Sequence, residues 1–171
     1  MVDLKALTMT QPWATLVALG ENSIETRSWS TSYRGPLAIH SAKACPKEAR
    51  ALCDQEPYRR VLARGGYSSA DDLPRGSVIA LARLDEVIAF TRSSLRETRA
   101  RAARGLLPAH EADFGDFSPG RFGFVLSHVQ QLSTPVPAKG MLGLWNVPAA
   151  LLQTLMSQPS TPRASAKRSA R

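Results

Sequence analysis

TQPWATLVALGENSIETRSWSTSYRGPLAIHS, Thr10 to Ser41, is the stretch on which the reading of this chain turns. Pro12 suits the first position of a helix, where a missing N–H costs nothing and φ is already helical. Thr10 or Gln11 precedes it as a cap; Thr is a good cap and Gln is not. Trp13, Leu16, Val17 and Leu19 fall near one helical stripe, and Gly20 fits the left-handed residue after the last turn. A helix of about two turns must be held by packing. Glu21-Asn22 then makes a turn. From Ser23 to Trp29 the chain alternates, so Ile24, Thr26 and Ser28 face one way and Glu25, Arg27 and Trp29 the other.

That second face has two readings. It is either a solvated Glu–Arg pair with a Trp over the edge of a core, or a ligand platform. In the platform, Arg offers a fixed fork for a phosphate or a base edge, Glu accepts from an amino group, and Trp stacks. Tyr33-Arg34-Gly35-Pro36 turns the chain into a short strand, Leu37 to Ser41, predicted to be antiparallel to the preceding one. His40 shares a face with Ala38 and reads as a hydrogen-bonded structural residue or as a catalyst. Lys43, just past the strand, is either solvated or within reach of a ligand on the Glu25–Arg27 face.

Outward from this stretch, Leu4 to Thr10 reads as the first strand. Pro46 opens a helix to about Gln55, and Tyr58 to Arg64 is a second, ended by Gly65-Gly66; together, 46 to 74 form an inserted helical lobe. Ser77 to about Phe90 is a long strand, apolar on both faces at its start, with a bulge or turn at Asp85-Glu86. Thr91 to Arg104 sets Arg92, Arg96, Arg99, Arg101 and Arg104 against Glu97 alone. It reads as a helix with a solvated face or a phosphate patch. Leu106 to Asp116 reads as a loop. Arg121 to Leu132 is a strand with Phe122, Phe124 and Leu126 on one face and His128 near its end. Pro135 and Pro137 mark an extended connection. Lys139 to Trp145 brings Leu144 and Trp145 in as core closers, and Pro148 opens a helix from Ala149 to Met156. About five strands, not alternating regularly with helices, define an α+β fold with a small mixed barrel and flanking helices.

The chain has 171 residues, enough for one domain with a real core. Residues 1–156 are expected to form that domain. Residues 157–171, rich in Ser, Ala, Pro and Arg, are expected to be a disordered basic tail. The tail holds four of the 22 basic residues and none of the 14 acidic ones, so the domain itself is only moderately basic. That charge is compatible with nucleic acid without establishing it. No apolar run reaches membrane-spanning length and the first residues do not form a signal peptide, so a cytoplasmic location is expected. Cys45 and Cys53 make neither a disulfide framework nor a zinc site, and His40, His110 and His128 lack ligand spacing. No metal and no cofactor is expected.

The QPWATL helix, the G-x-x-x-x-E-x-R segment at Gly20, Glu25 and Arg27, and the strings RSW, YRGPLAIHSAK and PVPAKGMLGLWNVP carry a resemblance. From about Leu4 to Leu155 the chain resembles the ASCH domain, a branch of the PUA-like barrels. The resemblance implies a PUA-like pseudo-barrel with a ligand cleft between the first helix, the E-x-R strand and the late Lys-Gly segment. Position by position it nominates Gln11, Trp13, Glu25, Arg27 and Lys139. Strand alternation and proximity add Trp29, His40 and Lys43. The implied function is binding of RNA or a modified nucleoside. Two hydrolytic alternatives also follow from the resemblance. One is metal-free cleavage of RNA, with Glu25 or His40 as base and Arg27, Lys43 or Lys139 as cation. The other is N4-acetylcytidine amidohydrolysis, which uses a Lys where this chain has Asn22 and a Thr where it has Glu25. Asn cannot serve as an amine nucleophile or base. A further alternative is a protein-interaction adaptor, as when an ASCH domain serves a larger transcription coactivator.

Overall fold

Alternating side chains in KALTM build β1 (Lys5–Met9), with Ala6, Leu7 and Met9 buried. A computed structural model describing residues 4–158 joins it to β2 (Ile24–Arg27), β3 (Gly35–Ser41), β4 (Ser77–Ala89), β5 (Phe122–Pro137) and β6 (Leu144–Asn146). These six strands form one mixed sheet in the order β2-β5-β4-β3-β1-β6. β1 and β3 are parallel; the other neighbouring pairs are antiparallel.

The sheet curls into a half-barrel. Flat, β1 and β2 would lie about 19 Å apart, four strand spacings. Instead the Arg27 guanidinium on β2 donates to the Thr8 carbonyl on β1 at 2.9 Å. Bulges in β4 and β5 supply local bending and twist. One falls at Asp85, where the pairing skips between Leu84 and Glu86. Another falls at His128, whose φ is +50°. His128 was expected near a strand end. It is exposed in mid-strand, because β5 runs on through Pro135 and Pro137. Those prolines are tolerated because β2 pairs with β5 only from Phe122 to Val125, leaving the far half of β5 edge-like on that side.

Two other expectations are corrected. β3 is not the antiparallel neighbour of β2; it lies between β4 and β1. Leu37 to Ser41 are all buried, which demands a central position rather than an edge hairpin. The first helix, α1 (Trp13–Ala18), has no single apolar stripe, since Ala14 through Ala18 are all buried. It is sandwiched. Ala14, Val17 and Ala18 pack on the sheet with Leu37, Ile39, Leu84 and Phe124. Leu16 faces the helical lobe of α2 (Lys47–Leu52) and α3 (Tyr58–Arg64), with Tyr58, Val61, Leu62 and Phe114.

α4 (Ser94–Ala103) buries only Thr98 and leaves its arginines exposed. α5 (Ala149–Met156) closes the other end of the sheet, Leu155 packing near Trp145 and Val136. Cys45 and Cys53 are free thiols, and burial pushes the Cys53 thiol up. Most of the expected basic tail, 159–171, lies outside the described residues. Among those described, no helix is long and apolar enough to cross a membrane.

Candidate nucleic-acid interface

The residues expected to line one cleft fall into two adjoining recesses. Trp13, Glu25, Arg27 and Trp29 line a cleft of about 570 Å³, together with Thr8, Tyr58, Asp113, Asp116 and Arg121. His40, Lys43 and Lys139 line a separate groove with Thr8, Arg75 and Gly140. The expected single cleft divides because β3 leaves the β2 side of the sheet and carries His40 and Lys43 away with it. Gln11 lines neither recess. It is fully buried, donates through Nε2 to the Pro74 carbonyl at 2.7 Å, and accepts from the Thr15 N–H at 3.0 Å. Gln11 therefore does the capping that a Gln was not expected to do: its side chain satisfies an amide of the first turn of α1.

The cleft is built on β2. The Glu25 carboxylate is buried, and the Arg27 Nε forms an ion pair with it at 3.0 Å. Burial pushes the Glu25 carboxyl above its usual value, with the Arg27 charge pulling it partly back. A guanidinium has five N–H donors. Arg27 directs one at the Thr8 carbonyl and one toward Glu25, and the residue lines the cleft. Trp13 stands edge-on to Tyr58 and Trp29 edge-on to Phe124, so packing fixes both indoles. Arg121 is at the rim, paired with Asp116 at 3.2 Å.

Sequence reasoning missed the residue that holds β2 in place. Glu111 sits in a single 3-10 turn, Glu111–Asp113, within the segment expected to be a loop, and it is fully buried. Its carboxylate accepts from the Ser23 N–H at 2.9 Å, the Ser23 hydroxyl at 2.6 Å and the Ile24 N–H at 2.8 Å. With its oxygen and nitrogen assigned to satisfy both, the Asn22 amide also donates to Glu111 at 2.9 Å. These donors would otherwise be orphaned at the start of an edge strand. Burial nevertheless raises the Glu111 pKa, the Ser23 and Ile24 bonds offsetting part of the rise. No signal in the sequence marks this carboxylate, which lies 87 residues from Ile24.

The groove is built differently. His40 is 1% exposed, and its Nε2 donates to the Ala138 carbonyl at 2.9 Å. Burial lowers its pKa, so the ring is held neutral with the proton on Nε2. A Cβ on Gly140 would stand 2.8 Å from Nδ1 of that ring, so the glycine backbone covers the face where a substrate would have to approach. His40 is therefore a floor residue of the groove. Lys43 and Lys139 are exposed at its sides. Among the described residues, no cluster of three or more His, Cys, Asp and Glu is placed to hold a metal ion.

The curled sheet and its flanking helices agree with sequence and structure comparisons. The ASCH domain family profile matches residues 7–133. The chain belongs to the ASCH domain family. It is 27% identical over 150 residues to activating signal cointegrator 1 of Homo sapiens and, equally, to that of Mus musculus. The match covers 86% of this chain and 23% of the cointegrator, so the chain spans about a quarter of the length of these relatives. A crystal structure of ASCH from Zymomonas mobilis superposes with a TM-score of 0.51, 13% identity and coverage of 93% of this chain and 96% of that one. A tyrosine-to-phenylalanine variant of the same Zymomonas mobilis protein gives 0.50 at 13% identity, covering 94% and 100%. At that identity the likeness is one of fold.

Proposed function

We propose that this ASCH domain binds a single unstacked nucleobase in the Glu25/Arg27 cleft, presented by single-stranded RNA or by a free modified nucleoside. The observation that carries the reading is the ion pair of buried Glu25 with half-buried Arg27 in a cleft also lined by two fixed indoles. A base has donor and acceptor edges and a flat face. Glu25 accepts from an exocyclic amino group, Arg27 donates to ring or carbonyl acceptors, and Trp13 or Trp29 meets the face. The cleft volume lies within the roughly 300–1,000 Å³ of small-ligand sites.

Ribonuclease chemistry is the second reading, because the same pair provides a base of raised pKa beside a cation. His40 is a poor alternative base, being covered by Gly140. The amidohydrolase reading is weaker still. Asn22 has no nucleophilic amine, and its amide is engaged by Glu111 and the Ile24 carbonyl.

The test is the full chain with labelled single-stranded RNA in EDTA, followed for gel shift and cleavage in one time course. A competing free nucleoside reports whether the base alone suffices. Arg27→Ala is expected to weaken the shift about 10-fold or more, the worth of a hydrogen bond to a charged group. Glu25→Ala is expected to weaken it too. Unchanged affinity in both folded variants overturns the reading. Cleavage that disappears with Arg27→Ala replaces the binder with the ribonuclease.

A further inference from the structure

The groove beside the cleft has its own chemistry. Lys43, Arg75 and Lys139 line it, and none of its lining residues is acidic. His40 beneath them is neutral. The acid paired with Arg75 is Asp71 at 3.7 Å, and Asp71 is already held by Arg50 at 2.8 Å. The cleft differs. Glu25, Asp113 and Asp116 stand among Arg27 and Arg121, a mixed lining less positive than that of the groove and suited to an uncharged base.

Three chain segments bring the groove cations together through backbone bonds. Gly76 N–H donates to the Ser41 carbonyl at 2.9 Å, and Ala138 N–H to the Gly76 carbonyl at 3.0 Å. Lys43, Arg75 and Lys139 each lie one or two residues from a member of this ladder, so their spacing is fixed by the end of the sheet. Thr8 lines both recesses. Its carbonyl holds Arg27, and its hydroxyl accepts from the Trp145 Nε1–H at 3.1 Å. Leu142, 98% exposed, and Met141 also line the groove, giving an apolar surface for a sugar or a second base.

We propose that cleft and groove form one track for single-stranded RNA. The base enters the Glu25/Arg27 cleft, and the adjoining ribose-phosphate backbone crosses Thr8 to lie along Lys43, Arg75 and Lys139. The proposal rests on the base-binding reading above and extends it to the phosphates. It assigns Arg75, and the pairing of Lys43 with Lys139, to backbone contact rather than to base recognition.

The experiment compares an RNA octanucleotide with the matching free nucleoside across a salt series, using the full chain. The variants are the triple Lys43→Gln/Arg75→Gln/Lys139→Gln and, separately, Arg27→Ala. Melting temperature checks that each is folded; single Lys43→Gln and Lys139→Gln variants serve if the triple is not. The track predicts that the triple variant binds the octanucleotide about 10-fold or more weakly at moderate salt and loses about 2 from the log–log salt slope. Its nucleoside affinity stays at the wild-type level, whereas Arg27→Ala loses affinity for both ligands. An unchanged octanucleotide affinity and slope in the triple variant, with Arg27→Ala still impaired, overturns the track and leaves the base cleft standing. Loss in the triple variant with Arg27→Ala unaffected overturns both, since the groove then binds RNA without the cleft. Absence of octanucleotide binding by the wild-type chain overturns the track, and absence of nucleoside binding as well overturns both.

Discussion

The cleft and the groove share Thr8 but are held together in different ways. The cleft depends on buried carboxylates: Glu25 paired with Arg27, and Glu111 on the amides that lead into β2. The groove depends on backbone bonds between strand ends, with its lysines at the surface. Residues that line the cleft therefore also maintain the strand that carries them. The groove cations, at the surface, can be replaced without touching the core. The contrast sets how mutational data here are to be read: affinity lost at the cleft needs a stability control, and affinity lost at the groove cations scarcely does.

The hardest test of this contrast is Glu111→Ala. It leaves the Ser23 and Ile24 amides and the Ser23 hydroxyl without their acceptor, takes one of two acceptors from the Asn22 amide, and is expected to cost about 3 kcal/mol or more. Urea unfolding measures it. Glu111→Gln, which keeps one acceptor oxygen, should cost less. A loss below about 1 kcal/mol for the Ala variant would show that the edge strand is held by other means.

Gly140→Ala probes the one place where the groove is as tightly built as the cleft. The added Cβ would stand 2.6 Å from His40 Cε1 and 2.8 Å from Thr8 Oγ1. A cost of about 1–3 kcal/mol is expected from overpacking. Combined with His40→Ala, the two losses should be less than additive, because the clash partner is gone. Strict additivity would mean that Gly140 does not seat on His40.

The smallest expected effect is in pH dependence, where the two recesses have opposite signs. The Glu25 carboxyl is raised from its usual 4.5, so the folded state holds its proton more tightly than the unfolded chain. Its contribution is full below 4.5 and is lost as pH rises through the raised folded value. His40 is lowered from 6.5, so its contribution is present above 6.5 and lost as pH falls through the lowered folded value. Relative to wild type, Glu25→Gln should therefore gain stability as pH rises, and His40→Gln should gain it as pH falls. Melting temperatures across pH 4 to 8, about the range these groups titrate over, check both slopes. Parallel curves for wild type and a variant would rule out that group as the source.

Much of this architecture was legible from residues alone. The alternation after Ser23 set Glu25, Arg27 and Trp29 on one face; all three line the cleft, but so do Thr26 and Ser28 from the other, because β2 ends at Arg27. The boundaries of α3 and α5 followed from Pro57 and Pro148 just ahead of them and from the apolar spacing behind. The bulge at Asp85 was marked by two acids interrupting an apolar strand. The failures have a common cause. Treating β3 as the hairpin partner of β2 used sequence proximity where burial of both faces decided the pairing. Gln11 looked available until the Pro74 carbonyl, 63 residues on, occupied its amide. Glu111 looked like one more acid in a loop.

What the sequence by itself determined is therefore the local geometry: the strand faces, the helix starts and the family to which the strings belong. These depend on side-chain period and on backbone chemistry within a few residues. Only the tertiary structure decided which charged and polar groups are free to meet a ligand. That depends on whether a distant chain segment supplies a partner, as Glu111 does for β2 and Gly140 for His40, and on the curl that sets Arg27 against Thr8. Burial and pairing are properties of the curled sheet, and no local pattern encodes them.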